Sequence, residues 1–120
     1  MPASVQWRLM FRVNNRAALD ELLGRAMPLF GTQATLGEGK PYWKIPELWE
    51  CSVVTPSPDG SAADKVLACL TTAQAIGAGW YVLGSVAPKD DGFTGVFAAD
   101  NGGTPRVSCL VWASFDLRFE

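Results

Sequence analysis

SVQWRLMFRVNNRAALDELLGRAM, residues 4–27, changes its hydrophobic period halfway. Val5, Trp7, Leu9, Phe11 and Val13 alternate with Gln6, Arg8, Met10 and Arg12, the period of a half-buried strand. Asn14 and Asn15 follow, and either can cap a helix by accepting from free backbone N–H groups. Beyond them Ala18, Leu19, Leu22, Leu23, Ala26 and Met27 recur at helical spacing, with Asp20 and Glu21 early, where the helix dipole favours acids. Pro28 and Gly31 close that helix near Leu29. A strand feeding a helix directly is therefore the first unit of the chain.

The remaining segments repeat the alternation. Residues 31–47 carry three glycines and two prolines and read as irregular, with room for a short strand at 42–44. Residues 48–55 read as a strand with Trp49, Cys51 and Val53 on one face. TPSPDGS (55–61) is a turn by its Pro and Asp-Gly content. Ser61 and Asp64 have capping-box spacing, with Asp in place of Glu. The helix they open places Val66, Leu67, Leu70, Ala73 and Ile76 on one face and stops at Gly77 or Gly79. Strands are expected at 80–86 and 93–99, with turns at PKDDG (88–92) and DNGG (100–103). The last strand is long: Val107, Cys109, Val111, Ala113, Phe115, Leu117 and Phe119 form one row. Leu110 and Trp112 lie on the opposite side.

The order is β-α-β-α-β-β-β in one domain, residues 1–120. Two helices cannot cover both faces of such a sheet. The expectation is an α+β fold, a two-layer sandwich with a mainly antiparallel sheet of about five strands and both helices on one face. The other face is then at least partly open, and it offers Arg8, Met10, Arg12, Leu110 and Trp112, a mixture that suits a protein interface. The alternative is a face lidded by the 31–47 loop.

Composition narrows the chemistry. The 120 residues are 48% hydrophobic and 18% charged, as in ordinary globular chains. There is no run of about 18 apolar residues, so no membrane span is expected, and the N-terminus reads as a strand rather than a signal peptide. The expected location is the cytoplasm. The chain has no histidine, which removes Ser-His-Asp and Cys-His mechanisms and the usual general acid–base residue near neutral pH. Cys51, Cys69 and Cys109 are widely spaced; without histidine a zinc site would need carboxylates, so three buried, reduced thiols are expected and no metal or cofactor. GEGKP (37–41) lacks the spacing of a phosphate loop, and neither DNGG nor KDDG has that of a calcium loop. Glu47 and Glu50 would face opposite sides of a strand, which weakens an acid–base pair. No catalytic residue is assigned.

The net charge of −2 is unevenly spread. Residues 1–44 carry +3 and residues 45–105 carry −5, through Glu47, Glu50, Asp59, Asp64, Asp90, Asp91 and Asp100. An acidic middle opposes nucleic-acid binding and suits a basic partner, or is simply a solvated surface. Within KPYWKIPELWEC (40–51), the residue before each proline is held extended. Trp49 is in strand phase with Cys51 and Val53 and reads as core. Tyr42 and Trp43, beside Lys44, either lid the open face or bind.

WRLMFRVNNRAALDELL, YWKIPELWE and LVWASFDLRF together resemble the small, acidic α+β immunity proteins of bacterial polymorphic-toxin and contact-dependent growth inhibition systems. The resemblance implies a non-enzymatic inhibitor that binds one toxin domain, a nuclease in the acidic members, and blocks its active site. The expected interface is Tyr42, Trp43, Glu47, Glu50, Asp59, Asp90, Asp91, Asp100 and Trp112, with rings as anchors and carboxylates steering a basic partner. Two alternatives stand beside it: a small-molecule or enzymatic domain with a pocket under the 31–47 loop, using Tyr42, Trp43, Lys44 and Glu50, and a homodimeric assembly module.

Overall fold

The computed structural model describes residues 4–84 and 92–118. Strand β1 (Ser4–Arg12) follows its alternation: Val5, Trp7, Leu9 and Phe11 are buried, and Gln6, Arg8 and Arg12 are exposed. Asn15 then takes an extended conformation and accepts from the Ala18 N–H at 2.8 Å, which caps helix α1 (Arg16–Ala26). Proline at position 28 has no N–H to continue the ladder, so the chain tightens into a 3₁₀ turn, Met27–Phe30. The α-helix thus ends three residues before the expected Leu29.

Two short strands, β2 (Thr35–Leu36) and β3 (Lys40–Pro41), precede β4 (Leu48–Pro56). The capping box at α2 (Ala62–Ile76) is complete: Asp64 N–H donates to Ser61 Oγ, and Ser61 N–H to the Asp64 carboxylate. Next come β5 (Gly77–Ala78), β6 (Tyr81–Gly84), β7 (Gly92–Ala98), β8 (Thr104–Pro105) and β9 (Leu110–Arg118). The main sheet has the order β2-β4-β1-β9-β7-β6, with β3 also on β4, and every pairing is antiparallel. β5 and β8 form a separate two-stranded ribbon. The fold is the expected two-layer α+β sandwich, with the expected five main strands joined by short ones.

One face of the sheet holds the core. Leu19, Leu22, Leu23 and Ala26 of α1 and Val66, Cys69, Ala73 and Ile76 of α2 join Val5, Trp7, Leu9 and Phe11 in a single cluster. Full burial of each large side chain contributes roughly 1.5–3 kcal/mol. Trp7 meets Phe30, Phe115 and Trp80 at centroid distances of 5.2, 5.4 and 6.3 Å. The Trp80 indole N–H donates to the Ala73 and Gly77 carbonyls, which serves the open C-terminal end of α2.

The last strand departs from its sequence pattern. Cys109 sits at φ +66°, a left-handed conformation uncommon for a residue with a side chain, and the β1–β9 register shifts at Met10 and Phe11. The period of two therefore breaks before Val111. Leu110 turns into the core opposite Phe11, not to the outer side, and β9 begins at Leu110 rather than at Val107. Cys109 is exposed, correcting the expectation of three buried thiols; Cys51 and Cys69 are buried. Residues 88–91 of the expected PKDDG turn and the far end of the strand expected at 80–86 lie outside the described residues, as does Phe119, while Gly92 opens β7. No helix among the described residues is long and apolar enough to cross a membrane.

Candidate functional site

The outer face of the sheet has no helix layer. Register places Arg8, Met10 and Arg12 of β1 there, with Trp112 of β9 opposite Met10, and Glu50 and Leu48 of β4 opposite Met10 and Arg12. The chain between β3 and β4 folds back across this end. Tyr42 N–H donates to the Leu48 carbonyl at 2.7 Å, and Leu48 N–H to the Ile45 carbonyl at 2.9 Å. That tight return sets Tyr42 and Ile45 as one wall of a recess of about 460 Å³. Met10, Leu48 and Val111 supply apolar surface to its lining, Trp112 a second ring, and Arg8, Arg12 and Asp100 its charges.

Arg8 is the organising cation. Its guanidinium carbon lies 5.6 Å from the Tyr42 ring centroid and 5.8 Å from that of Trp112, within cation–π range of both. A terminal nitrogen pairs with Glu50 Oε2 at 2.5 Å. Glu50 is only 12% exposed, and its other oxygen lies 3.8 Å from Lys40 Nζ. One carboxylate thus holds Arg8 upright between two rings. Arg12 has no ion-pair partner among the described residues. A second, more polar hollow of about 350 Å³ lies on the other side of Arg8, between Glu38, Lys40, Glu50 and Ser52.

The expected site residues divide. Tyr42, Asp100 and Trp112 come together in the recess, and Glu50 supports it through Arg8. Trp43 is 77% exposed and points clear of the recess wall, its ring 5.1 Å from Lys44 Nζ. Glu47 is exposed in the turn leading into β4. Asp59 follows Pro56, at the far end of β4 from Leu48, about 30 Å of strand away. Asp90 and Asp91 lie outside the described residues. The carboxylates described do not gather into one patch, and the recess itself carries two arginines against one aspartate. Ile45, Leu48, Ala99 and Val111 were not expected in the lining. The fold-back brings Ile45 there and the break at Cys109 brings Val111, while Leu48 faces the recess by its register opposite Arg12. Among the described residues, no group of three or more His, Cys, Asp or Glu side chains could hold a metal ion.

Comparison with known proteins returns no matching family model, no matching curated protein and no matching solved structure.

Proposed function

We propose that the protein is a non-enzymatic binding protein of the immunity type, which neutralises a cognate bacterial toxin domain in the cytosol by docking it on the open sheet face. The observation that carries this reading is the pre-organised recess: Arg8 fixed by Glu50 between Tyr42 and Trp112, over the apolar surface of Met10 and Leu48. Held rings and a held arginine lose little side-chain entropy on binding, and Trp, Tyr and Arg are the residue types that dominate interface energetics. Glu47 and Asp100 at this end would steer a basic partner, while Arg12 fits an acidic group seated in the recess.

The test is a co-expression rescue. A toxin domain encoded beside this chain is induced in a host with and without the protein, and growth is followed. The expected result is toxicity that disappears only when the protein is present. Trp112→Ala and Arg12→Glu, still folded by circular dichroism, should weaken binding of the purified pair by about 30-fold or more, the effect of an interface hot spot. A neighbour that is harmless, or that kills regardless, removes the immunity reading. Rescue untouched by both substitutions moves the interface away from the recess.

The recess volume favours one further reading. About 460 Å³ lies in the range of small-molecule sites, with apolar walls and a few placed charges. An anionic aromatic compound would stack on Trp112 and pair with Arg12. A thermal-shift screen of aryl carboxylates checks it, with stabilisation expected in the wild type and absent in Arg12→Glu.

A further inference from the structure

The two edges of the main sheet are treated differently by the sequence. At one edge β4 is covered by two strands of only two residues each, β2 and β3, and β3 consists of Lys40 and Pro41. Short edge strands, lysine and proline are the devices that stop an edge from recruiting another strand. At the other edge lies β6, Tyr-Val-Leu-Gly, with no charge and no proline. Its side chains are exposed on both faces: Tyr81 60%, Val82 43% and Leu83 75%. Among the described residues, β6 pairs on one side only, with β7.

We infer that β6 pairs antiparallel with β6 of a second copy of this chain, so that two sheets become one across a two-fold axis. Parity limits the register. Val82 pairs with Gly95, which packs under Phe115 on the core face, so Tyr81 and Leu83 belong to the outer face. Residues directly opposite in a sheet share a face. With both helices on one side, parity leaves registers that set one residue against its own equivalent; the one centred on Val82 pairs the three side chains of the strand among themselves, Val82 with Val82 and Tyr81 with Leu83 of the second copy, twice. These pairs set a ring against an aliphatic side chain and two valines against each other, removing apolar surface from water on both faces. Exposed Val96, opposite Tyr81 on β7, extends the apolar strip. A strand without charge sets no like charges against its own copy, which is why the second copy is the occupant that fits. The contact is self-complementary and closed, as a two-fold dimer requires.

Light scattering after size exclusion, over a wide range of loading concentrations, tests the pairing. The wild type should show twice the 12.9 kDa chain mass at high loading and fall toward 12.9 kDa on dilution. Leu83→Lys, on the exposed outer face, should give 12.9 kDa at every loading with an unchanged circular dichroism spectrum. Tyr81→Lys serves if Leu83→Lys does not fold. Val82→Thr, uncharged and β-branched, should keep the dimer. A wild type of 12.9 kDa throughout, a dimer that Leu83→Lys and Tyr81→Lys leave intact, or a mass that climbs past two chains would each overturn the inference.

Discussion

Trp7 donates its indole N–H to Thr55 Oγ1 at 3.0 Å, joining β1 to β4 inside the core. The hydroxyl is the partner that lets a tryptophan be fully buried at the centre of an aromatic cluster. Thr55→Val keeps the shape and removes the acceptor, stranding the N–H. Urea unfolding should show a loss of about 1–3 kcal/mol with an unchanged slope. Thr55→Ser should lose less than half as much.

Gly95 makes room for Phe115. A Cβ there would lie 2.3 Å from the Phe115 ring, far inside contact distance, and its backbone is not in the left-handed region. The requirement is space, not conformational freedom. Gly95→Ala should cost about 1–3 kcal/mol, the usual penalty of overpacking. The double variant with Phe115→Leu should be more stable than the sum of the two single effects, read from a thermal double-mutant cycle.

The Arg8–Glu50 pair ties the recess to the sheet. Glu50→Gln keeps the shape but loses the charge that holds the guanidinium between Tyr42 and Trp112. With Arg8 half exposed, the stability loss should be modest, about 1 kcal/mol or less. Affinity for a partner on this face should fall further than stability does, because the released side chain must be ordered again on binding. Calorimetric titration beside thermal melts separates the two effects.

The buried thiols predict an alkaline limit. Burial pushes Cys51 up to about 12, with the nearby Glu50 charge adding to it, and burial alone pushes Cys69 up to about 12. Unfolded, both would ionise near the ordinary value of 9.0. The folded state therefore binds more protons between pH 9 and 12, and stability falls as pH rises through that window. The slope is up to about 1.4 kcal/mol per pH unit for each thiol. Below pH 9 the contribution is fully present. Urea midpoints measured from pH 8 to 10 should decline less steeply in Cys51→Ala than in the wild type. At pH 8 an aromatic disulfide reagent should modify Cys109 at once, and Cys51 and Cys69 only on unfolding.

Most of the layering was legible in the sequence because it rests on local periods. The alternation of residues 5–13, the Asn15 cap and the Ser61–Asp64 box each need only neighbours in the chain, and each is present. The reading failed where one residue altered the phase. Val107, Cys109 and Val111 continue an alternating row on paper, yet the left-handed turn at Cys109 sends Leu110 inward and leaves Val111 lining the recess. The recess was half visible: Tyr42 and Trp112 stood out as rings, and Arg8, Met10 and Arg12 by parity. Ile45 reaches it through a backbone return that no periodicity announces. The described acidic residues do not gather, because closeness along the chain is not closeness in space; Asp59 and Glu47 flank opposite ends of β4.

The position of β9 between β1 and β7 governs how the chain must be born. On the ribosome β1, α1, β4, α2, β6 and β7 all emerge before it, since synthesis runs from the N-terminus. Until then the nascent protein is two separate pieces, β4 with β1 and β7 with β6, each with a bare inner margin and half a core. Nine residues, Leu110–Arg118, close both margins in one step. Truncated chains that lack them are the forms a cell must shield from aggregation, and assembly of the native sheet must wait for Leu110–Arg118.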